Sequence, residues 1–114
     1  MRAYRVDKNQ SQIVKALRAE GYTVQHLHKV GEGCPDILVG HNHKGTKYNF
    51  LMEIKEGDGK LTPQQIIWHA DWQGQAAIVR NVEEALSVIK NAIKSATKKT
   101  KKIPTKDTPI NNQA

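Results

Sequence analysis

Several things are scarce in this sequence, and each scarcity excludes something. There is one cysteine, so no internal disulfide can form and a reducing, cytoplasmic setting is expected. No Cys/His spacing matches a zinc site. No apolar run approaches the ~20 residues that a membrane helix needs, so no membrane association is expected. The opening "MRAYRVDKNQ" has no apolar core of a secretory signal, and none is expected. With 114 residues and 38% hydrophobics the chain is one domain at most, with a modest core and a part that does not pack.

What is present in excess is positive charge, and it is unevenly placed. The net charge is +7, of which the last 21 residues carry +5 through six lysines and one aspartate, Asp107. The first 93 residues are nearly neutral. A lysine-rich arm favours a polyanion such as nucleic acid through phosphate contacts and counterion release. It serves equally well as a solubilising tail.

Hydrophobic periodicity divides the rest. "DKNQSQIVKALRAEGY" predicts a helix with Ile13, Val14 and Leu17 on one stripe and Gly21 at its end. "YTVQHLHKV", "PDILVG" and "YNFLMEIK" predict strands, with the polar "HNHKGTK" as a hairpin connection between the last two. In the third strand Phe50, Met52 and Ile54 share one face, and Asn49, Leu51, Glu53 and Lys55 the other. "LTPQQIIWHADW" predicts a helix with Thr62 as N-cap, Pro63 at N1 and Gln65 closing a capping box. "GQAAIV" predicts a strand. "NVEEALSVIKNAIK" predicts a last helix, capped by Asn81 with Glu84. The order is α-β-β-β-α-β-α, which suggests an α/β fold with a mixed sheet and helices on its faces. Residues 1–96 form the expected domain, and 97–114 a basic, disordered tail.

One constellation points to chemistry. Glu53 and Lys55 lie two apart on a strand and emerge from the same face. Asp36 opens the preceding strand. If the two strands pair through the connection at 41–47, counting outward from it brings Asp36 beside residues 53 to 55. Two carboxylates then converge next to an ammonium. Such a pair repels itself and wants a cation, and hard oxygen ligands with open water positions suit Mg²⁺. A bound metal would polarise a phosphate and activate a water, while the lysine steadies the nucleophile or the developing charge. "ExK" alone is an ordinary solvated charge pair; the upstream "PD" supplies the second carboxylate.

"G-x-PDILVG", then "LMEIK", then "LTPQQIIWH" resembles the PD-(D/E)xK nuclease superfamily, most closely the small phage-type VRR-NUC nucleases and next the archaeal Holliday-junction resolvases. The resemblance covers about residues 7 to 90. It implies a restriction-endonuclease-like core with a four-stranded mixed sheet flanked by helices, and Mg²⁺- or Mn²⁺-dependent hydrolysis of DNA phosphodiesters. It implies that Asp36, Glu53 and the Ile54 carbonyl are metal ligands. Lys55 would orient the attacking water or stabilise the transition state, and Gln65 would stand near the metal. It also implies a homodimer, a structure-selective endonuclease acting on branched or four-way-junction DNA, and a phage-encoded origin. One departure stands out. Relatives carry a glutamate on the first helix where this chain has Gln10 and Gln12, which puts a second metal in doubt; Asp7 could substitute, or could cap the helix.

Other residues carry weaker signals. The literal "HNH" at 41–43 is expected to be a polar turn, because HNH nucleases spread their namesake residues over a longer ββα unit. His26 and His28 share a strand face that could be the active one. His69 shares a helix face with Gln65 and could approach the site; Trp68 and Trp72 read as core or interface anchors. Cys34 reads as filler. Lys44, Lys47 and Lys60 read as loop cations near the site, and Lys98, Lys99, Lys101 and Lys102 as phosphate contacts in the tail. An alternative function is a catalytically silent DNA-binding module on the same fold.

Overall fold

The structure, a computed structural model, describes residues 8–102, with side chains through residue 97. Asp7 and residues 103–114 lie outside the described residues. In order the elements are α1 (Lys8–Ala19), β1 (Thr23–His26), β2 (Ile37–His43), β3 (Thr46–Ile54), α2 (Pro63–Asp71), β4 (Ala76–Val79) and α3 (Val82–Lys102). The four strands form one sheet in the order β1-β2-β3-β4. β1–β2 and β2–β3 pair antiparallel, and β3–β4 parallel. The sheet is therefore mixed, and α2 is the crossover that a parallel pair requires.

The core forms on one face of this sheet. α1 contributes Ile13, Val14 and Leu17, the stripe that the sequence spacing predicts, and α3 contributes Ala85, Ile89 and Ile93. Against them lie Ile37 and Val39 of β2, Phe50, Met52 and Ile54 of β3, and Val79 of β4. α1 ends as its glycine demands. Gly21 sits at φ +93°, Gly21 N–H donates to Arg18 O at 3.0 Å and Tyr22 N–H donates to Leu17 O at 3.1 Å, the bond pair of a Schellman cap. The opposite face of the sheet is covered only at one end, by α2. Thr23, Gln25, Asn49 and Ile78 on that face stay exposed, and Leu38 and Leu51 are half-buried.

The structure differs from the sequence reading in three places. "HNHKGTK" is mostly strand: His41–His43 belong to β2 and Thr46–Lys47 to β3, leaving Lys44-Gly45 as a two-residue turn. Both turn residues have positive φ, +51° and +90°, which gives the twist a tight hairpin favours. Asn42 Oδ1 accepts the Gly45 N–H at 2.9 Å and holds the turn. β1 covers only four residues of the predicted strand. α3 continues to Lys102, past the boundary that loss of apolar periodicity sets at 97. Once a helix is nucleated and packed, each further residue costs little, so lysine and alanine can extend it without a core face.

Leu17 is completely buried between α1 and the sheet. Leu17→Ala is expected to cost about 2–5 kcal/mol, as cavity-forming core truncations do. Leu38→Ala, on the half-covered face, should cost clearly less. Urea unfolding of the two variants measures the difference.

Candidate active site

The β2–β3 register runs from His43↔Thr46 to Ile37↔Met52. One step further places Asp36 opposite Glu53. The main chain continues the pairing there. Asp36 N–H donates to Met52 O at 3.0 Å, and Leu27 N–H donates to Asp36 O at 2.8 Å. The Asp36 side chain extends the ladder itself, because its Oδ2 accepts the Ile54 N–H at 2.7 Å. One carboxylate oxygen is thus fixed at the strand junction, and the other is left for further contacts.

Glu53 is the unusual residue. It is 1% exposed, on the face opposite the apolar core. Its Oε2 accepts a hydrogen bond from Gln65 Nε2 at 3.1 Å and lies 4.0 Å from Lys55 Nζ. Its Oε1 has no hydrogen-bond partner among the described residues. It faces His69 Nε2 at 3.8 Å, also buried and without a hydrogen bond. That gap is too long for a hydrogen bond. Burial above all, then the charge of Asp36 and hydrogen bonding with it, push the Glu53 carboxyl from 4.5 up to about 8; Lys55 pulls the other way. Burial also lowers the His69 imidazole, so its neutral form is favoured. The Cys34 thiol is raised by burial first, then by the charges of Glu53 and Asp36.

Local chemistry explains how these groups meet. Thr62 Oγ1 accepts the Gln65 N–H and Gln65 Oε1 accepts the Thr62 N–H, the predicted capping box. The box fixes the Gln65 amide so that its Nε2 end is free to reach Glu53. One turn later His69 reaches the same carboxylate. α2 can sit this close because residue 33 is glycine: at φ +83°, a Cβ there would lie 2.5 Å from Gln64 O and 3.0 Å from Trp68 Cβ. On the far side Asn9 Nδ2 donates to Lys55 O and to Arg80 O, both at 3.1 Å, and ties α1 to the ends of β3 and β4. Arg80 Nη1 donates to Gly57 O and Gly59 O and shapes the loop after Lys55.

So Asp36, Glu53, Lys55 and Gln65 are brought together, with Ile54 between them. Lys60 lies in the loop leading to α2, at this end of the sheet. Lys44 and Lys47 do not approach the site. They occupy the hairpin tip and its neighbouring strand residue, and Lys47 is six residues from Glu53, roughly 20 Å along β3. His26 does not face the carboxylates either; its Nδ1 is 3.2 Å from Gln10 Nε2 on the α1 side of the sheet. Gln10 is buried and Gln12 exposed, and no α1 carboxylate joins the site among the described residues. Lys98, Lys99, Lys101 and Lys102 fall where side chains are outside the described residues. Asn9 and Arg80 were not legible as site-building residues, because their contacts are long-range bonds to backbone carbonyls.

Two buried polar atoms that face each other without a bond fit a cation or a water between them. Among the described residues, no group of three or more His, Cys, Asp or Glu side chains is gathered to hold a metal. The oxygen donors brought together are the carboxyl groups of Asp36 and Glu53, a ligand type that hard ions such as Mg²⁺ take. Family models, curated proteins and solved structures were compared with the chain, and none matches.

The Glu53 shift has a consequence for stability. A carboxyl raised in the folded state leaves stability intact below about 4.5 and lowers it progressively as the pH rises to about 8. In metal-free buffer, Glu53→Gln should match the wild type near pH 4.5 and exceed it in melting temperature above pH 8. Thermal unfolding across that range checks the sign.

Proposed function

We propose that this chain is a metal-dependent endonuclease that hydrolyses DNA phosphodiester bonds, selecting branched or four-way-junction DNA, on a restriction-endonuclease-like core. The observation that carries the reading is the buried Glu53 carboxyl group, held opposite Asp36, beside Lys55, with one oxygen unpaired among the described residues. Burying a carboxylate next to another is costly unless a positive charge offsets it. A protein that positions such a pair so firmly has a use for the ion that relieves it.

Asp36, Glu53 and the Ile54 carbonyl would hold Mg²⁺ or Mn²⁺. When bound, the ion supplies Lewis-acid polarisation of the phosphate and a more acidic bound water. The chain does the rest. Lys55 brings an ammonium to the rim of the site, where it steadies an attacking hydroxide or the charge growing on the phosphate. Gln65 fixes the Glu53 oxygen nearest Lys55, so that carboxylate and ammonium keep their spacing. Asp36, pinned by the Ile54 N–H, cannot swing away from Glu53. Lys60, at the same end, and the basic stretch from Lys98 to Lys102 would contact DNA phosphates.

The alternative, a DNA-binding module without cleavage, is favoured by one observation: α1 turns Asn9 and Gln10 inward rather than a carboxylate. It predicts salt-dependent binding and no cutting.

The homodimer would draw on apolar surface that is exposed in the single chain. Ile66 and Ile67 on α2, Trp72 just beyond it and Ile78 on the edge strand β4 are each more than 40% exposed. Ile67→Asp should then shift the mass in solution toward the monomer, measured by light scattering.

Cleavage is tested on supercoiled plasmid and on a synthetic four-way junction with Mg²⁺ or Mn²⁺. Asp36→Asn keeps an acceptor for the Ile54 N–H while removing charge, and Glu53→Gln removes the second carboxylate. Each should lower the rate by about a hundredfold or more while the fold persists. A wild type that binds DNA but cuts neither substrate points to the binding module; variants that cut as fast as wild type overturn the assignment of the site.

A further inference from the structure

A second cluster lies away from the carboxylates. Between the β2–β3 hairpin and α3 a cleft of about 270 Å³ is lined by Tyr22, His41, His43, Ile89, Lys90, Ile93 and Lys94. His41 and His43 share the helix-facing side of β2 with Ile37 and Val39, whereas Asp36 opens on the other face. His41 is five residues from Asp36, roughly 17 Å along the strand. The cleft and the carboxylate site are therefore separate places, at opposite ends and on opposite faces of the sheet.

Its construction is specific. The floor is apolar, made by Ile89 and Ile93. One wall is a run of rings. The Tyr22 and His41 rings meet edge to face with centroids 4.7 Å apart, and the His41 and His43 rings follow at 5.9 Å. The other wall carries Lys90 and Lys94, one helical turn apart. Neither lysine has an ion-pair partner among the described residues. No carboxylate lines the cleft; the charge of Glu20 is felt at the Tyr22 end, where it adds to the effect of burial on the hydroxyl. A helix face that only solvates the protein usually mixes signs. Here the sequence repeats one sign at helical spacing, Lys90, Lys94, Lys98 and Lys101.

An apolar floor, a wall of rings and a row of unpaired ammonium groups match the two halves of a nucleotide. Bases stack on ring faces and apolar side chains, and phosphates seek the cations. A duplex keeps its bases paired and could use only the lysines. We propose that this cleft is a second nucleic-acid site, which seats a single-stranded segment with its phosphates on Lys90 and Lys94 and a base against His41 and His43, whose rings the buried Tyr22 supports. The site works without metal and without cleavage, so it stands apart from the proposed nuclease activity.

The test is binding of fluorescein-labelled (dT)₁₂ to the full chain in EDTA, read by anisotropy across a salt series. Lys90→Gln/Lys94→Gln is compared with Lys8→Gln/Lys15→Gln, an equal loss of charge on exposed α1 positions. His43→Ala tests the rings without disturbing the Tyr22–His41 contact. The cleft lysine pair should weaken binding about fivefold or more and flatten the salt slope by about 1.4, two single-strand phosphate contacts. His43→Ala should weaken it at unchanged slope, and a (dT)₁₂ carrying a photoreactive thymine should crosslink to peptides containing His41 or His43. If both lysine pairs weaken binding equally, if a blunt duplex binds as well as the single strand and depends on the same residues, or if crosslinks fall only in residues 98–114, the proposal is overturned.

Discussion

A carboxylate taken out of water beside another carboxylate is the constraint on which one end of this molecule is organised. Glu53 is almost fully buried, yet it stands on the face of the sheet that lacks the apolar core. Its neighbours are arranged around that fact. β2 and β3 bring Asp36 opposite it through an uninterrupted ladder, and the Ile54 N–H fixes the Asp36 carboxylate in place. α2 makes no apolar core of its own; no residue in it is buried. What holds it against the sheet is the Gln65–Glu53 hydrogen bond and the close approach at Gly33.

Much of this was legible in the sequence because it follows from periods and counts. Alternation along "YNFLMEIK" separates Phe50, Met52 and Ile54 from Glu53 and Lys55, and the buried faces follow that division. Counting outward from the 41–47 connection brings Asp36 beside residues 53 to 55, and the Lys44-Gly45 turn makes Glu53 its partner. Thr62, Pro63 and Gln65 announce a helix start, and the capping box later turns out to orient the Gln65 amide toward the site. What sequence could not supply was tertiary. Asn9 acts through two backbone carbonyls from distant elements, which no local pattern encodes. The polar residues 41–43 look like loop because their strand end is only partly covered. A Lys-Gly turn with both φ positive converts them to strand and carries Lys44 and Lys47 away from the carboxylates. His26 points to the helix side because β1 is paired to β2 in a register that places it with Ile37.

The same sheet thus presents two unlike surfaces. At one end, under α2, two carboxyl groups meet and one of them, Glu53, is desolvated. At the other, beside α3, Lys90 and Lys94 stand exposed next to the partly exposed rings of His41 and His43. β2 joins them, since it begins just after Asp36 and ends at His43. A polyanion would be repelled by the first unless a cation neutralised it, and attracted by the second in any case. On the proposed reading this asymmetry gives the two sites different requirements, one for metal and one for ionic strength.

The central claim is that Glu53 belongs to a cation site. Its carboxyl carbon can be followed directly by ¹³C NMR through a pH titration, with and without Mg²⁺. The account predicts a midpoint near 8 in metal-free buffer, moved well down when Mg²⁺ is added, with Asp36→Asn abolishing the response to the ion. A Glu53 carboxyl that titrates in the ordinary glutamate range and ignores Mg²⁺ would contradict it.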